Sequence, residues 1–374
     1  MRVLVTADAV GGVWQYSLDL ARGLAGLGIE TVLAVLGPSP SETQKAEAAT
    51  VPSLNLIDTG LALDWLAKDA ASLRTAAEAI ERLARTHKVD VVQLNTPAFA
   101  GLARFEMPVV SVQHSCVATW WEAVQGTPLP EDFAWRTELV AQGLAASDVV
   151  VAPTAAFGEM TRRRYGLAEA PRTVHNGRTP LPVPRSAPHD FVFTAGRLWD
   201  EGKNLATLDS AAGHIGVPVR AAGPLEGPNG ASVIFDNIHC LGSLDEAELG
   251  RWLAARPVFV SAALYEPFGL AVLEAAAAGC PLILSDIPTF RELWEDVAMF
   301  VPPRDEEAFT RAISRLVGDD FEREVMGRAA RERAARFTPE AMAAQMASIY
   351  RGLLPAVHRP VLAATESAAP RAAA

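Results

Sequence analysis

Short runs of β-branched and aliphatic residues alternate with longer stretches of helical apolar spacing along most of this chain, and no other property restricts the fold as much. Arg2 to Thr6, Thr31 to Leu36, Val89 to Leu94, Pro108 to Gln113 and Asp148 to Ala152 read as strands. Stretches such as Asp69 to His87 and Glu131 to Ala146 read as helices between them. The rhythm resumes with strands at Asp190 to Thr194, Val217 to Ala222, Ile238 to Leu241, Pro257 to Ser261 and Pro281 to Ser285. Strands that alternate with helices form parallel sheets covered on both faces, so the expected class is α/β and doubly wound.

Between the two series, Asn176-Gly177 leads into Pro180, Pro182, Pro184 and Pro188, and both periodic patterns vanish. That marks a linker. At 374 residues the chain also exceeds one ordinary core. The expected organisation is a first domain over 1–177, a second over 178–337, a helix over 338–354 that packs back on the first domain, and a disordered tail over 355–374. In that helix Met342, Met346, Ile349, Tyr350 and Leu353 share one face, so it must dock on a partner surface.

A formal charge of −11 argues against a nucleic-acid surface, because phosphate backbones demand clustered cations. Cys116, Cys240 and Cys280 are odd in number and lack metal-ligand spacing, which fits reduced thiols in a cytoplasmic protein. The first residues enter a strand directly rather than a signal peptide, and no apolar run approaches the ~18 residues that span a bilayer. Arg162-Arg163-Arg164 reads as a solvated helix end, with peripheral contact to the inner face of an anionic membrane as the sharper alternative.

Chemistry concentrates at the carboxyl ends of strands, where open parallel sheets bind ligands. Gly11-Gly12 follows the first strand and lets a backbone approach a ligand, but it lacks the spacing of a dinucleotide fingerprint. His114 directly follows another strand end; it is either a ligand-facing histidine or a structural one. Gly196-Arg197 and Lys203 precede a helix, and two cations beside a helix start suit a diphosphate. In Tyr265 to Glu274, the loop carboxylate Glu266 and the helical carboxylate Glu274 straddle a helix start. The backbone amides near Gly269 and Leu270 then point at an anionic, elongated ligand. Trp120-Trp121 reads either as a stacking platform for an acceptor or as core.

Together, Glu266 and Glu274 with seven residues between them, Pro267-Phe268-Gly269-Leu270 inside that span, and Gly196-Arg197 followed by Lys203-Asn204 resemble the retaining glycosyltransferases of family four. Gly11-Gly12, His114 and Asn176-Gly177 fall where such enzymes carry matching elements. The resemblance implies a GT-B fold, two Rossmann-like domains facing each other across a cleft, and a nucleotide-diphosphate sugar as donor substrate with no further cofactor. It implies that Glu274 holds the donor ribose and that Arg197 and Lys203 neutralise the diphosphate. Glu266 with Phe268, Gly269 and Leu270 would hold the transferred sugar, His114 would approach the reacting centre, and Gly12 would approach the phosphates or the acceptor.

The implied activity is metal-independent transfer of a hexose to a hydroxyl acceptor (a sugar, glycolipid or small molecule) in glycan, polysaccharide or glycolipid biosynthesis. A nucleotide-sugar epimerase or hydrolase of the same architecture is the alternative. Arg178-Thr179-Pro180 departs from the valine and aspartate frequent in the family at that point.

Overall fold

A computed structural model of the chain describes residues 1–184, 186–228 and 230–355. The expected disordered tail lies outside them apart from Pro355. Thirteen strands form two sheets among the described residues, and every pairing within the sheets is parallel.

The first sheet contains β1 (Arg2–Asp8), β2 (Glu30–Leu36), β3 (Leu54–Asp58), β4 (Val91–Leu94), β5 (Val109–Val112), β6 (Val149–Ala152) and β7 (Arg172–Thr173) in the order β3-β2-β1-β4-β5-β6-β7. Along β1, Val3 and Val5 enter one apolar cluster and Leu4 enters another, which is the period-two signature of a strand buried on both faces. The first cluster is closed by helix Gly12–Gly26 and by the last helix, Pro339–Leu353, whose Met342, Met346 and Tyr350 are fully buried there. The opposite cluster is closed by helices Ala70–Thr86, Ala98–Leu102 and Ala134–Ala146. Each fully buried aliphatic side chain contributes about 1.5–3 kcal/mol.

The second sheet contains β8 (Val192–Ala195), β9 (Val219–Ala222), β10 (Ile238–Cys240), β11 (Val258–Ser261), β12 (Leu282–Ser285) and β13 (Ala298–Val301) in the order β10-β9-β8-β11-β12-β13. Both sheets therefore reverse their winding beside their first strand, between β1 and β4 and between β8 and β11. These are the switch points at which parallel sheets open a ligand crevice. Three strands, β3, β7 and β13, are absent from the sequence reading, and all three are sheet edges.

The chain crosses between the sheets twice, and the two crossings run side by side. Arg178 donates its backbone N–H to the Phe337 carbonyl at 3.1 Å. A Cβ on Gly177 would lie 2.0 Å from the Thr338 carbonyl oxygen, so the two crossing segments touch only because residue 177 has no side chain.

Candidate functional site

Both switch points face one cleft. On the first side, the Asp8 carboxylate at the end of β1 accepts the amides of Val10 (2.9 Å) and Gly11 (3.2 Å), which shapes the turn into the helix at Gly12. Burial raises the Asp8 pKa, and those two amides and Arg197 across the cleft oppose the rise. A Cβ on Gly11 would lie 3.9 Å from a terminal nitrogen of Arg197, and one on Gly12 would lie 3.4 Å from Leu270 Cδ1. The glycine turn is thus brought against the second half's cation and helix start.

His114 sits beside this turn. Its Nε2 is 3.1 Å from Asn95 Oδ1, and its ring packs edge-on against Tyr16 with centroids 4.4 Å apart. Burial pushes the imidazole down to about 3, so it is neutral at physiological pH. A neutral imidazole can share a hydrogen bond with a ligand hydroxyl without adding charge.

On the second side, the loop after β8 and the loop after β11 are tied together. Gly202 accepts the Leu264 amide at 2.9 Å, and Asn204 donates its side-chain amide to the Ala262 carbonyl at 2.9 Å. This brings Lys203 against Glu266 in a partly buried ion pair. Arg197 pairs with Asp200 at 2.8 Å and lies over the Trp199 ring. Burial disfavours the Asp200 carboxylate, but Arg197 and Lys203 outweigh it and leave its pKa below the ordinary value. Helix Leu270–Ala278 starts at Gly269, whose φ of 91° is left-handed, and no side chain caps it. Its first amides therefore face the cleft without an intrahelical acceptor.

Glu274, one turn into that helix, is occupied differently from its sequence assignment. Its Oε1 accepts Nε of Arg178 at 2.7 Å, while the same guanidinium reaches Asp19 at 3.1 Å and Glu246 at 2.6 Å. Arg178 is 4% exposed and Asp19 0%, so a cation from the crossing segment is buried among three carboxylates drawn from both halves. Burial raises the Glu274 pKa and Arg178 opposes it. Lys203, expected with Arg197 to neutralise a diphosphate, is likewise paired, with Glu266. The structure thus gathers Gly12, His114, Gly196, Arg197, Lys203, Glu266, Phe268, Gly269, Leu270 and Glu274 around one cleft, with its charges already paired. Phe268 is 3% exposed and packs edge-on against Phe337, so its ring belongs to the core and only its backbone borders the cleft.

The comparisons match this architecture. Residues 10–180 fit the model described as Glycosyltransferase Family 4, and residues 233–333 fit Glycosyl transferases group 1. The chain is 26% identical to the glycogen synthase of Mycobacterium tuberculosis over 94% of each chain. It is 24% identical to the phosphatidyl-myo-inositol mannosyltransferase of Mycobacterium leprae over 92% of this chain and 93% of that one. The chain belongs to the GT-B glycosyltransferases of family 4. Its fold superposes on sucrose-phosphate synthase from Thermosynechococcus elongatus with a TM-score of 0.78 at 22% identity, covering 94% of this chain and 99% of that one. The Anabaena HepE protein in complex with UDP-glucose gives 0.73 at 18%, covering 94% and 100%.

A cavity of about 570 Å³ adjoins the site of this glycosyltransferase, and Asp64, Arg136 and Tyr165 in its wall were not legible in the sequence. None stands in a motif, and Asp64 and Arg136 meet only through the fold. Trp120 does belong to this region: its indole N–H donates to Asp200 at 2.9 Å across the cleft. Arg162 and Arg163 pair with Glu159 in the last turn of helix Ala155–Tyr165, which Gly166 closes in a left-handed conformation. No described helix is long and apolar enough to cross a membrane.

Proposed function

We propose that this glycosyltransferase moves a sugar from a nucleotide-diphosphate donor to a hydroxyl acceptor with retention of anomeric configuration and without a metal ion. The observation that carries the reading is the convergence of Arg197 and the uncapped start of helix Leu270–Ala278 on the Gly11-Gly12 turn, with Lys203 packed beside Gly196 and paired with Glu266 on the same side. Fixed cations and free amides aimed at one point suit a diphosphate. Glu274 lies one helical turn beyond and suits a ribose, and Glu266 lies at the other end and suits sugar hydroxyls.

Chemically, the bond between the anomeric carbon and the departing phosphate oxygen breaks while the acceptor oxygen bonds to the same carbon on the same face. The acceptor's proton passes to the leaving diphosphate. Negative charge grows on that phosphate, so Arg197, Lys203 and the amides after Phe268 stabilise the transition state more than the ground state. An arriving diphosphate competes for Lys203 and releases Glu266 to the sugar. The two cations supply the neutralisation that a metal would otherwise provide, so turnover is expected to persist in a chelator.

Product analysis tests the reading. Incubation with nucleotide sugars and a panel of hydroxyl acceptors should yield a glycoside with the donor's anomeric configuration, and EDTA should leave the yield unchanged. Conversion of the donor to an epimer or a free sugar at the same rate with and without acceptors would replace transfer by epimerisation or hydrolysis.

A further inference from the structure

Helix Val117–Val124 belongs to the first half, yet several of its polar contacts run to the second. At its start the Thr119 hydroxyl shares a hydrogen bond with Tyr265, the neighbour of Glu266. At its end Arg304 donates to the Val124 carbonyl at 2.9 Å, and Gln125 donates to Glu201 at 2.6 Å. Between them Trp120 aims its indole N–H at Asp200, 2.9 Å away. That contact depends on residue 202 having no side chain: a Cβ on Gly202 would lie 2.7 Å from the indole nitrogen and 3.0 Å from Asp200 Oδ1. The loop that carries the proposed diphosphate cations thus admits an indole from the opposite half.

Asp200 is 8% exposed, and its two oxygens face different partners. Oδ1 accepts the Trp120 indole and the Gly202 amide, both at 2.9 Å, while Oδ2 accepts Nη2 of Arg197 at 2.8 Å. With Nη2 held there, Nη1 is the nitrogen turned to the glycine turn, 3.9 Å from where a Gly11 Cβ would stand. Burial disfavours the Asp200 carboxylate, but Arg197 and Lys203 outweigh it, so the group is anionic through the neutral range. The Arg197 side chain, by contrast, is 43% exposed. An exposed arginine loses rotamer freedom when it grips a phosphate, and a carboxylate that already holds the guanidinium removes that loss in advance. A pair between two exposed side chains would hold it weakly, but this carboxylate is itself buried and fixed by two further donors.

We propose that Asp200 is a positioning residue for the transfer reaction, that Trp120 completes it from the opposite half, and that Arg197 is aligned on the departing diphosphate only while that indole is seated. The inference rests on the donor reading of the cleft and deepens it. It assigns Trp120 to the charged loop of the second half rather than to a stacking platform for an acceptor. When the halves part, Asp200 Oδ1 keeps only the Gly202 amide, and the pair that holds Arg197 is free to turn.

Isothermal titration of the full chain with UDP, ADP and GDP, each beside its monophosphate, tests the proposal. Arg197 acts on the diphosphate, so the readout is the ratio of diphosphate to monophosphate affinity for the nucleotide that the parent prefers. Retained monophosphate binding shows that a variant is folded. Trp120→Phe keeps an aromatic side chain and every charge, and it should lower that ratio about fivefold, the scale of one hydrogen-bond coupling. Gly202→Ala crowds the indole off Asp200 without altering either partner and should do the same. In an Arg197→Ala background, Trp120→Phe should change the ratio by less than about twofold, because coupled residues act through one another. An unchanged ratio in either folded variant overturns the proposal. So does a loss that persists in full without Arg197, since Trp120 would then act by touching the ligand or by closing the cleft. A parent that binds no nucleotide, or no diphosphate better than its monophosphate, sinks the donor reading itself.

Discussion

Arg178 is the residue at which this chain departs most informatively from its family's pattern. A guanidinium has a planar fork of donors, and here it serves Asp19, Glu274 and Glu246 at once. Removing it leaves Asp19, fully buried, without the one cation that is itself buried beside it. Arg178→Met should therefore cost about 3–5 kcal/mol in urea unfolding, and Arg178→Lys less, because a point charge keeps the sign but not the fork. Equal stability of all three proteins would mean that the cluster is held by its carboxylates' other contacts, such as Arg22 and Thr179 to Asp19.

His114 makes a second prediction with a definite sign. Its folded pKa is depressed to about 3, below its unfolded value near 6.5, so the unfolded chain binds the extra proton between those limits. Its contribution is complete above about pH 6.5 and declines as the pH falls toward 3. Asp64 acts in the opposite direction below about pH 6, so the histidine term must be isolated by comparison. Unfolding curves at pH 7.5 and pH 5 should show a larger acid loss in the parent than in His114→Asn. Identical losses would mean that His114 is accessible to protons in the folded protein.

Elements were more legible than their edges. The central strands β1, β4, β5, β8, β9, β11 and β12 are read within a few residues because burial on both faces makes them continuous apolar runs. At the sheet margins, β3 has no fully buried residue, β7 has two residues, and β13 is only partly buried. Such strands carry little hydrophobic signal, and their pairing partner supplies what the local sequence lacks. The last helix shows what packing adds: a Cβ on Gly23 would lie 2.5 Å from the Pro339 carbonyl oxygen, so the two helices meet backbone to backbone. Gly23→Val should lower stability by about 1–3 kcal/mol and expose 339–353 to limited proteolysis. Retained stability and resistance would show that the helix can shift without loss.

Across the whole molecule, the halves are held together by polar contacts of moderate number. Thr119 and Tyr265 share a hydrogen bond at 2.8 Å, and Thr154 donates to the Pro267 carbonyl at 3.0 Å. Glu292 accepts both the Ala155 amide at 2.9 Å and His175. The donor-side constellation was legible because it sits in short contiguous motifs at strand ends. The pairings inside it were not, because Arg178 lies 96 residues from Glu274 and 159 from Asp19, and no local pattern encodes such distances. The cavity beside the cleft was illegible for the same reason, Trp120-Trp121 excepted.

The central claim is that Arg197 and Lys203 hold a nucleotide-sugar diphosphate in the cleft between the sheets. Isothermal titration of the full chain with UDP-glucose, ADP-glucose and GDP-mannose tests it most directly. At least one donor should bind without added metal, and Arg197→Ala combined with Lys203→Ala should weaken it by roughly a hundredfold or more, as expected when charge-assisted contacts to phosphate are lost. A donor that bound the double variant as tightly as the parent, or the absence of binding by all three, would contradict the account.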